Sequence, residues 1–423
     1  MQLIEAEYLI ETPLDPQKIA QVIAGEQSSG TFVRLASETD ELRERAAARI
    51  LAVEELEPVA SPSLHSAFLE ARGIGGPYRR ARVRIGFPAD NIGVNLATLA
   101  ATVSGNLYDL GEVTGLKLLD IQLPAPYRAR YSLPQAGIAG TRARLNLQGR
   151  PFFGTIIKPN IGMQVDEIAD LVELLCESGV DFIKDDEVCA NPACAPLDKR
   201  IPAVMERVRR YRDRTGRDVM MAFNITDETD AMRRHADLIE QESGACAMVS
   251  MNWVGLSAMQ TLRGSTPLIL HGHRNGYGGW ARHPALGIAF PAYQALYRLT
   301  GLDHMHVHGM GGKFSDSDAE VTEAARLCAR PLSPDGPAND CVLPVFSSGQ
   351  WAGTLPATVN AVGSSDFMFL AGGGILAHPG GPQAGVRSLQ QAWDAVVAGE
   401  ALEKHATRHA ELAGALSFYE GKA

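Results

Sequence analysis

Positive charge is scarce in this chain. Its 39 lysines and arginines stand against 49 acids, a formal net charge of −10, and a nucleic-acid partner is not expected. The one arginine-rich stretch, ERVRRYRDRTGRD, mixes its cations with acids and has the pattern of a solvated helix face. Cysteine is sparse as well, with six in 423 residues. That number builds no disulfide framework, and Cys189 and Cys194 in CANPAC lack histidine or cysteine partners at zinc spacing. No run of about 18 apolar residues occurs, so no membrane span is expected. The first residues, MQLIEAEYLIETPLD, carry acids where a signal peptide needs a basic stretch and an apolar core. A soluble protein of the cytoplasm is the expectation.

Apolar residues, by contrast, make up 45% of the chain, enough for a large core in two domains or one elaborated one. The first 135 residues mix strand-like stretches (YLIET, GTFVRLA, RARVRIGF, KLLDIQLP) with helical ones (PLDPQKIAQVIAGE, ETDELRERAAARILAVEEL, NIGVNLATLAATVSG) and contain no repeat. This predicts a small α+β domain over 1–135, with the Pro- and Gly-rich LPAPYRARYSLPQAGIAG as a linker region.

From residue 151 the pattern becomes regular. Eight short apolar or β-branched runs follow one another: FFGTIIKP, DFIKDDE, DVMMAFNI, ACAMVSM, PLILHGHR, HMHVHG, LPVFSSG and FMFLAGGG. Helical stretches such as VDEIADLVELLCESG, PAVMERVRRYRDRTG and PAYQALYRLTG separate them. Continuous apolar runs suit strands buried on both faces, and alternation with helices implies parallel βα units. Eight units in this length predict an α/β fold with a C-terminal (β/α)8 TIM barrel over 136–423. A doubly wound sheet is the alternative, but it needs fewer strands and a dinucleotide glycine fingerprint after its first strand, which is missing.

Barrel enzymes carry their chemistry at the carboxyl ends of the strands. The unusual residues fall there: Lys158 on the first run, Lys184, Asp186 and Glu187 on the second, and His271, His273 and Arg274 on the fifth. The sixth ends in His304, His306 and His308 and leads through glycines to Lys313; the seventh and eighth end in Ser347-Ser348-Gly349 and Gly372-Gly373-Gly374. Such density on one rim marks an active site.

The two glycine-bearing ends suit a phosphate, which bare main-chain N–H groups can approach closely. In FIKDDE, strand alternation puts Lys184 and Asp186 on one face with Glu187 beside them. Three readings are open: an ion pair, a magnesium site of oxygen ligands, or a lysine that burial deprotonates and carbon dioxide converts to a carbamate ligand. The alternating histidines could instead form an amidohydrolase-type metal cluster, but such barrels carry H-x-H on the first strand, and here that strand ends in KPN.

Taken in order, GTIIKPNIG, DFIKDDE, LILHGHR, DHMHVHGMGGKF, PVFSSG and FLAGGGILAHPGG resemble the large subunit of ribulose-1,5-bisphosphate carboxylase (RuBisCO) and its RuBisCO-like relatives. EQSSGTF and SGNLYDL extend the resemblance through the N-terminal domain. It implies a ferredoxin-like N-terminal domain and a homodimer in which Glu26, Thr31 and Asn106 reach the partner subunit's active site. It implies one magnesium ion per site on Asp186, Glu187 and Lys184, the last carrying CO2 as a carbamate. Lys158 would be the acid/base at the enolising carbon, and His273 a further acid/base or metal-proximal group. Arg274 and His306 would lie at the substrate's distal end, and Ser347, Gly349, Gly373 and Gly374 at the near phosphate. Lys313 would sit on a closing loop.

Departures from the carboxylase pattern narrow the reaction. Asn160 replaces a second lysine, Phe32 replaces a tryptophan, and SSGQWAGTLP replaces the carboxylase segment after the seventh strand. These argue against carboxylation of ribulose bisphosphate, while the intact metal set argues against a non-catalytic barrel. The resemblance then implies a magnesium-dependent step through a metal-held enediolate on a phosphorylated keto sugar or keto sugar acid. With Lys158, Lys184 and Lys313 all kept, the expected activity is that of a carbon–carbon lyase. It would act by decarboxylation, or by transcarboxylation with hydrolysis, of 3-oxo-isoapionate 4-phosphate in apiose catabolism. An enolase or isomerase of methylthio-sugar phosphates in methionine salvage is the alternative.

Overall fold

The computed structural model describes residues 2–29 and 35–420. GTFVRLA therefore lies largely outside the described residues, as do Thr31 and Phe32. The chain divides into two compact units, one running to Ser132 and taking in Gly276–Thr300 and Leu332–Pro337, the other made of the remainder.

The first unit is built on a five-stranded sheet. Strand β1 (Leu3–Thr12) pairs antiparallel with β3 (Tyr78–Pro88) on one side and β4 (Gly115–Gln122) on the other. Strict alternation buries Ile4, Ala6, Tyr8 and Ile10 on one face. The edges are β2 (Arg49–Val59), antiparallel to β3, and the short β10 (Leu286–Ile288), parallel to β4. The helix Pro16–Glu26 starts where expected, because the Asp15 carboxylate accepts from the N–H groups of Gln17 and Lys18 and Pro16 needs no partner.

ETDELRERAAARILAVEEL departs from the helical expectation. Only Asp40–Ala46 is helical, and the rest becomes β2. Its Ala, Glu and Leu favour a helix by fractions of a kcal/mol each, which main-chain pairing with β3 and the Arg79–Glu55 bridge at 2.6 Å override. The helix within PAYQALYRLTG, Phe290–Arg298, belongs with β10 to the first unit rather than to the barrel's ring.

The second unit is a closed barrel of eight parallel strands. In order they are β5 (Phe152–Ile156), β6 (Phe182–Lys184), β7 (Met220–Asn224), β8 (Cys246–Ser250), β9 (Ile269–His273), β11 (His304–His308), β12 (Leu343–Phe346) and β13 (Met368–Leu370). Each falls within one of the eight apolar runs. Side chains from alternate positions, among them Phe152, Phe182, Met220, Met248, Val345 and Met368, fill the interior. The arginines of ERVRRYRDRTGRD do lie on a solvated face, where Arg207, Arg210 and Arg214 pair with Asp170, Glu173 and Glu177 of the preceding helix.

Asp303, fully buried just before β11, ties strands and helix together at the opposite end of the barrel from the candidate site. One carboxylate oxygen accepts from the N–H groups of Ala136 (2.5 Å) and Gly137 (2.9 Å), the other from Leu270 N–H (2.9 Å) and the Arg263 guanidinium (3.2 Å). Asp303→Ala leaves a buried cation and three main-chain donors unmatched. It should lower stability by roughly 3–5 kcal/mol, read as a fall in the urea midpoint at unchanged slope.

Candidate active site

The end of β6 is held from behind. Asp185 points away from the barrel axis, fully buried, where its Oδ2 accepts from the Arg200 guanidinium (3.0 Å) and the Asn224 main-chain N–H (2.9 Å). Arg200, itself fully buried, also donates to the carbonyls of Cys189, Ala190 and Ala195. The Asn224 amide donates to the carbonyls of Asp186 (3.0 Å) and Glu187 (3.2 Å). Period-two alternation then turns Lys184 and Asp186 the other way, into the barrel mouth.

Two lysines there have opposite surroundings. Lys184 is 1% exposed, and its amine donates to the Asp185 carbonyl (3.0 Å) and Met248 Sδ (3.5 Å), with Glu187 Oε2 at 3.7 Å. Burial lowers its pKa below that of a free lysine, outweighing the opposing pull of Glu187, Asp186 and Asp185. Lys158 is 39% exposed at the end of β5, and its amine donates to Asp186 Oδ2 (2.6 Å) and Asn160 Oδ1 (2.8 Å). His273 Nε2 lies 3.6 Å from Glu187 Oε2, while its Nδ1 accepts from Asn275 N–H (3.2 Å). Burial holds the His273 pKa well below that of a free histidine.

Could a metal sit here? Among the described residues no three His, Cys, Asp or Glu side chains gather as a ligand set. Asp186 and Glu187 supply two carboxylates, and Lys184, as a carbamate, would supply the third oxygen donor. The residues fit magnesium on that condition, since hard oxygen donors are what it prefers. The sequence left this carbamate open beside an ion pair and a plain carboxylate site; the burial of Lys184 in the barrel mouth is the added observation that fits it.

At β9 and β11 the histidines separate into two groups. His271, His304 and His306 are buried in the barrel, where His306 Nε2 meets His271 Nε2 (2.8 Å) and His306 Nδ1 meets Ser347 Oγ (3.0 Å). Both ring nitrogens of His306 are thus engaged inside the protein. His308 lies outward, its Nδ1 3.0 Å from Asp316 Oδ2, the oxygen to which Arg274 also donates (2.7 Å). Burial would raise the Asp316 pKa, but His308 and Arg274 outweigh it and hold the carboxyl at about 2.

Lys313 is exposed, its ammonium 5.3 Å from the Phe314 ring centre. Gly349 adopts a φ of 76°, a conformation natural to glycine, and a side chain there would approach the main-chain nitrogen of Lys313. On the adjacent strand, Gly373 opens onto free space and Gly374 packs against Gln350 and Trp351, both in the first turn of a short helix, Gly372–Leu376. In the first unit, Asn106 donates to Glu26 Oε1 (3.3 Å), bringing those two together across 80 positions.

Residues 4–127 match the family model for the N-terminal domain of the ribulose bisphosphate carboxylase large chain, and residues 137–419 match its catalytic domain. The chain belongs to the RuBisCO large-chain family. Within it, the 3-oxo-isoapionate-4-phosphate transcarboxylase/hydrolase of Xanthobacter autotrophicus is 44% identical over 416 residues, 98% of this chain and 99% of that protein. The 3-oxo-isoapionate-4-phosphate decarboxylase of Rhizobium rhizogenes is 41% identical over 418 residues, 98% of both. The crystal structure of a rubisco-like protein from Burkholderia fungorum, 60% identical, matches with a TM-score of 0.94 over 99% of this chain and 100% of that one.

Arg200, Asn224 and Asp316 escaped sequence reasoning. Arg200 and Asn224 are single polar residues in otherwise ordinary helix and strand patterns, and Asp316 sits in a polar loop. The depressed Asp316 pKa means its ionised form is favoured by folding. That stabilisation is complete above the ordinary carboxylate pKa of about 4 and fades as pH falls through it towards 2. Asp316→Asn should therefore lower the urea midpoint by a constant amount between pH 7 and 5, with the gap to wild type narrowing below about pH 4.

Proposed function

We propose that this protein is an enzyme that cleaves a carbon–carbon bond in a phosphorylated 3-keto sugar acid. The favoured reaction is decarboxylation, or transcarboxylation with hydrolysis, of 3-oxo-isoapionate 4-phosphate. The observation that carries this reading is the pair of lysines around Asp186: an exposed amine 2.6 Å from the carboxylate, and one 1% exposed whose pKa burial lowers. Relatives of that activity at 41–44% identity over almost the whole chain support it.

The neutral Lys184 amine is suited to attack carbon dioxide, forming an N–C bond and losing a proton to leave a carbamate anion. Magnesium held by that carbamate, Asp186 and Glu187 would polarise the substrate's ketone. As the carboxylate of a 3-keto acid departs as carbon dioxide, the electrons of the broken C–C bond move into the ketone, giving an enediolate. Lys158, within reach of Asp186, then supplies a proton to the carbon. Lys313 would close over the departing carboxylate, and main-chain N–H groups around Gly349, Gly373 and Gly374 would hold the one phosphate. Glu26, Thr31 and Asn106 would come from a second copy, making a homodimer the active unit.

The far end favours this substrate over both alternatives. Around Arg274 and His306 lie the polar Asp316, His308, His271 and Ser347, with the Phe314 ring 4.7 Å from His308 as the exposed apolar group, a largely polar end that suits a sugar acid better than a methylthio group. Arg274 is matched by Asp316, so that end does not concentrate the positive charge a second phosphate needs.

Purified protein given Mg2+, bicarbonate and 3-oxo-isoapionate 4-phosphate should consume it with cleavage of the carboxylate. Lys158→Met should reduce kcat by roughly 100-fold or more. Turnover of methylthio-sugar phosphates or ribulose bisphosphate in its place would overturn the assignment.

A further inference from the structure

A line of hydrogen bonds crosses the barrel interior and ends in the candidate site. It runs from Thr141, on the helix Gly137–Leu145, through His304, His271 and His306 to Ser347 at the end of β12. The separations are Thr141 Oγ1 to His304 Nε2 2.9 Å, His304 Nδ1 to His271 Nδ1 3.2 Å, His271 Nε2 to His306 Nε2 2.8 Å, and His306 Nδ1 to Ser347 Oγ 3.0 Å. All five residues are 7% exposed or less. Burial lowers the pKa of all three imidazoles, so each carries a single N–H.

The direction of every bond follows from one end. Thr141 Oγ1 lies 2.5 Å from the Gly137 carbonyl, which can only accept, so the threonine's one hydrogen is spent there. Thr141 can then only accept from His304, whose proton is on Nε2 and whose Nδ1 is an acceptor. His271 must donate from Nδ1 and accept at Nε2. His306 must donate from Nε2 and accept at Nδ1, and Ser347 must donate to it. The aromatic ring of Phe182 stacks on His271 at 5.0 Å and meets His304 edge-on at 6.2 Å, shielding the middle of the line from water. Because the line ends on a carbonyl, it offers a proton no exit. It orients and does not conduct.

We propose that Thr141 is a positioning residue that acts through three histidines to turn the Ser347 hydroxyl hydrogen inward, so that Ser347 meets a ligand only as a hydrogen-bond acceptor. Ser347 then selects a donor, such as a substrate hydroxyl, and disfavours a phosphate or carboxylate oxygen at that point. This deepens the proposed keto-sugar-acid reading, resting on it only for the identity of the ligand. It reassigns Ser347 from the phosphate to a hydroxyl of the substrate.

The test is 15N NMR of histidine-labelled protein, which separates the Nδ1–H and Nε2–H tautomers. Wild type should have His304 and His306 protonated on Nε2 and His271 on Nδ1. Thr141→Val removes the acceptor at nearly the same volume, and the line should reverse, with His304 and His306 protonated on Nδ1 and His271 on Nε2. Ser347 would then point its hydrogen at the ligand. With 3-oxo-isoapionate 4-phosphate the variant's KM should rise tenfold or more while kcat changes less, and Thr141→Ser should restore both the tautomers and KM. A wild-type His304 protonated on Nδ1 would overturn the proposal even if Thr141→Val failed to fold, and so would unchanged tautomers in that variant. Failure to turn over the keto acid would leave the tautomer result standing and would count against the substrate assignment alone.

Discussion

The ion pair between Asp185 and Arg200 decides which way the end of β6 faces. A strand shows alternate residues to opposite sides, so anchoring Asp185 behind the barrel commits Lys184 and Asp186 to its mouth. Both partners of the pair are essentially without solvent, and the Arg200 terminal nitrogens also donate to three carbonyls of the loop that follows. Such a buried pair adds little net stability over apolar packing; its contribution here is orientation. A one-residue slip would turn Asp185 and Glu187 inward and put Lys184 among the helices.

From that orientation follows the contrast between the two lysines. Lys184, enclosed by β6, β7 and β8, is driven towards neutrality by burial although acids surround it. Lys158, on the open side of Asp186, stays in contact with water. Neighbouring groups of one chemical type whose environments differ are a recurrent way to divide reactive roles. In the proposed mechanism the enclosed lysine becomes a ligand and the open one moves a proton. The Arg274–Asp316 pair and the Thr141-to-Ser347 line then shape the rest of the mouth, one by balancing charge and the other by orienting hydrogen.

The barrel was legible because strands buried on both faces must be apolar throughout, which sets runs such as DVMMAFNI apart from amphipathic helices. The rim residues could be read because polar groups stand out at the ends of such runs. ETDELRERAAARILAVEEL was not legible as a helix followed by a strand, since β2 is an edge strand whose exposed residues carry helix-forming chemistry and whose shape depends on pairing with β3. The partners of FIKDDE were hidden for a related reason. Arg200 lies on an ordinary amphipathic helix and Asn224 at the end of a strand, and only the closure of the barrel brings them to Asp185. The histidines could be counted from HGH and HMHVH, but their division into a buried line and an outward His308 depends on distances across three strands.

In the proposed mechanism Lys184 must be neutral enough to take up carbon dioxide. Protein exposed to 13C-labelled bicarbonate and Mg2+ should give a carbamate carbon resonance that is missing in Lys184→Arg and that grows in step with activity. A protein that cleaves its keto-acid substrate at full rate with no such resonance would contradict it.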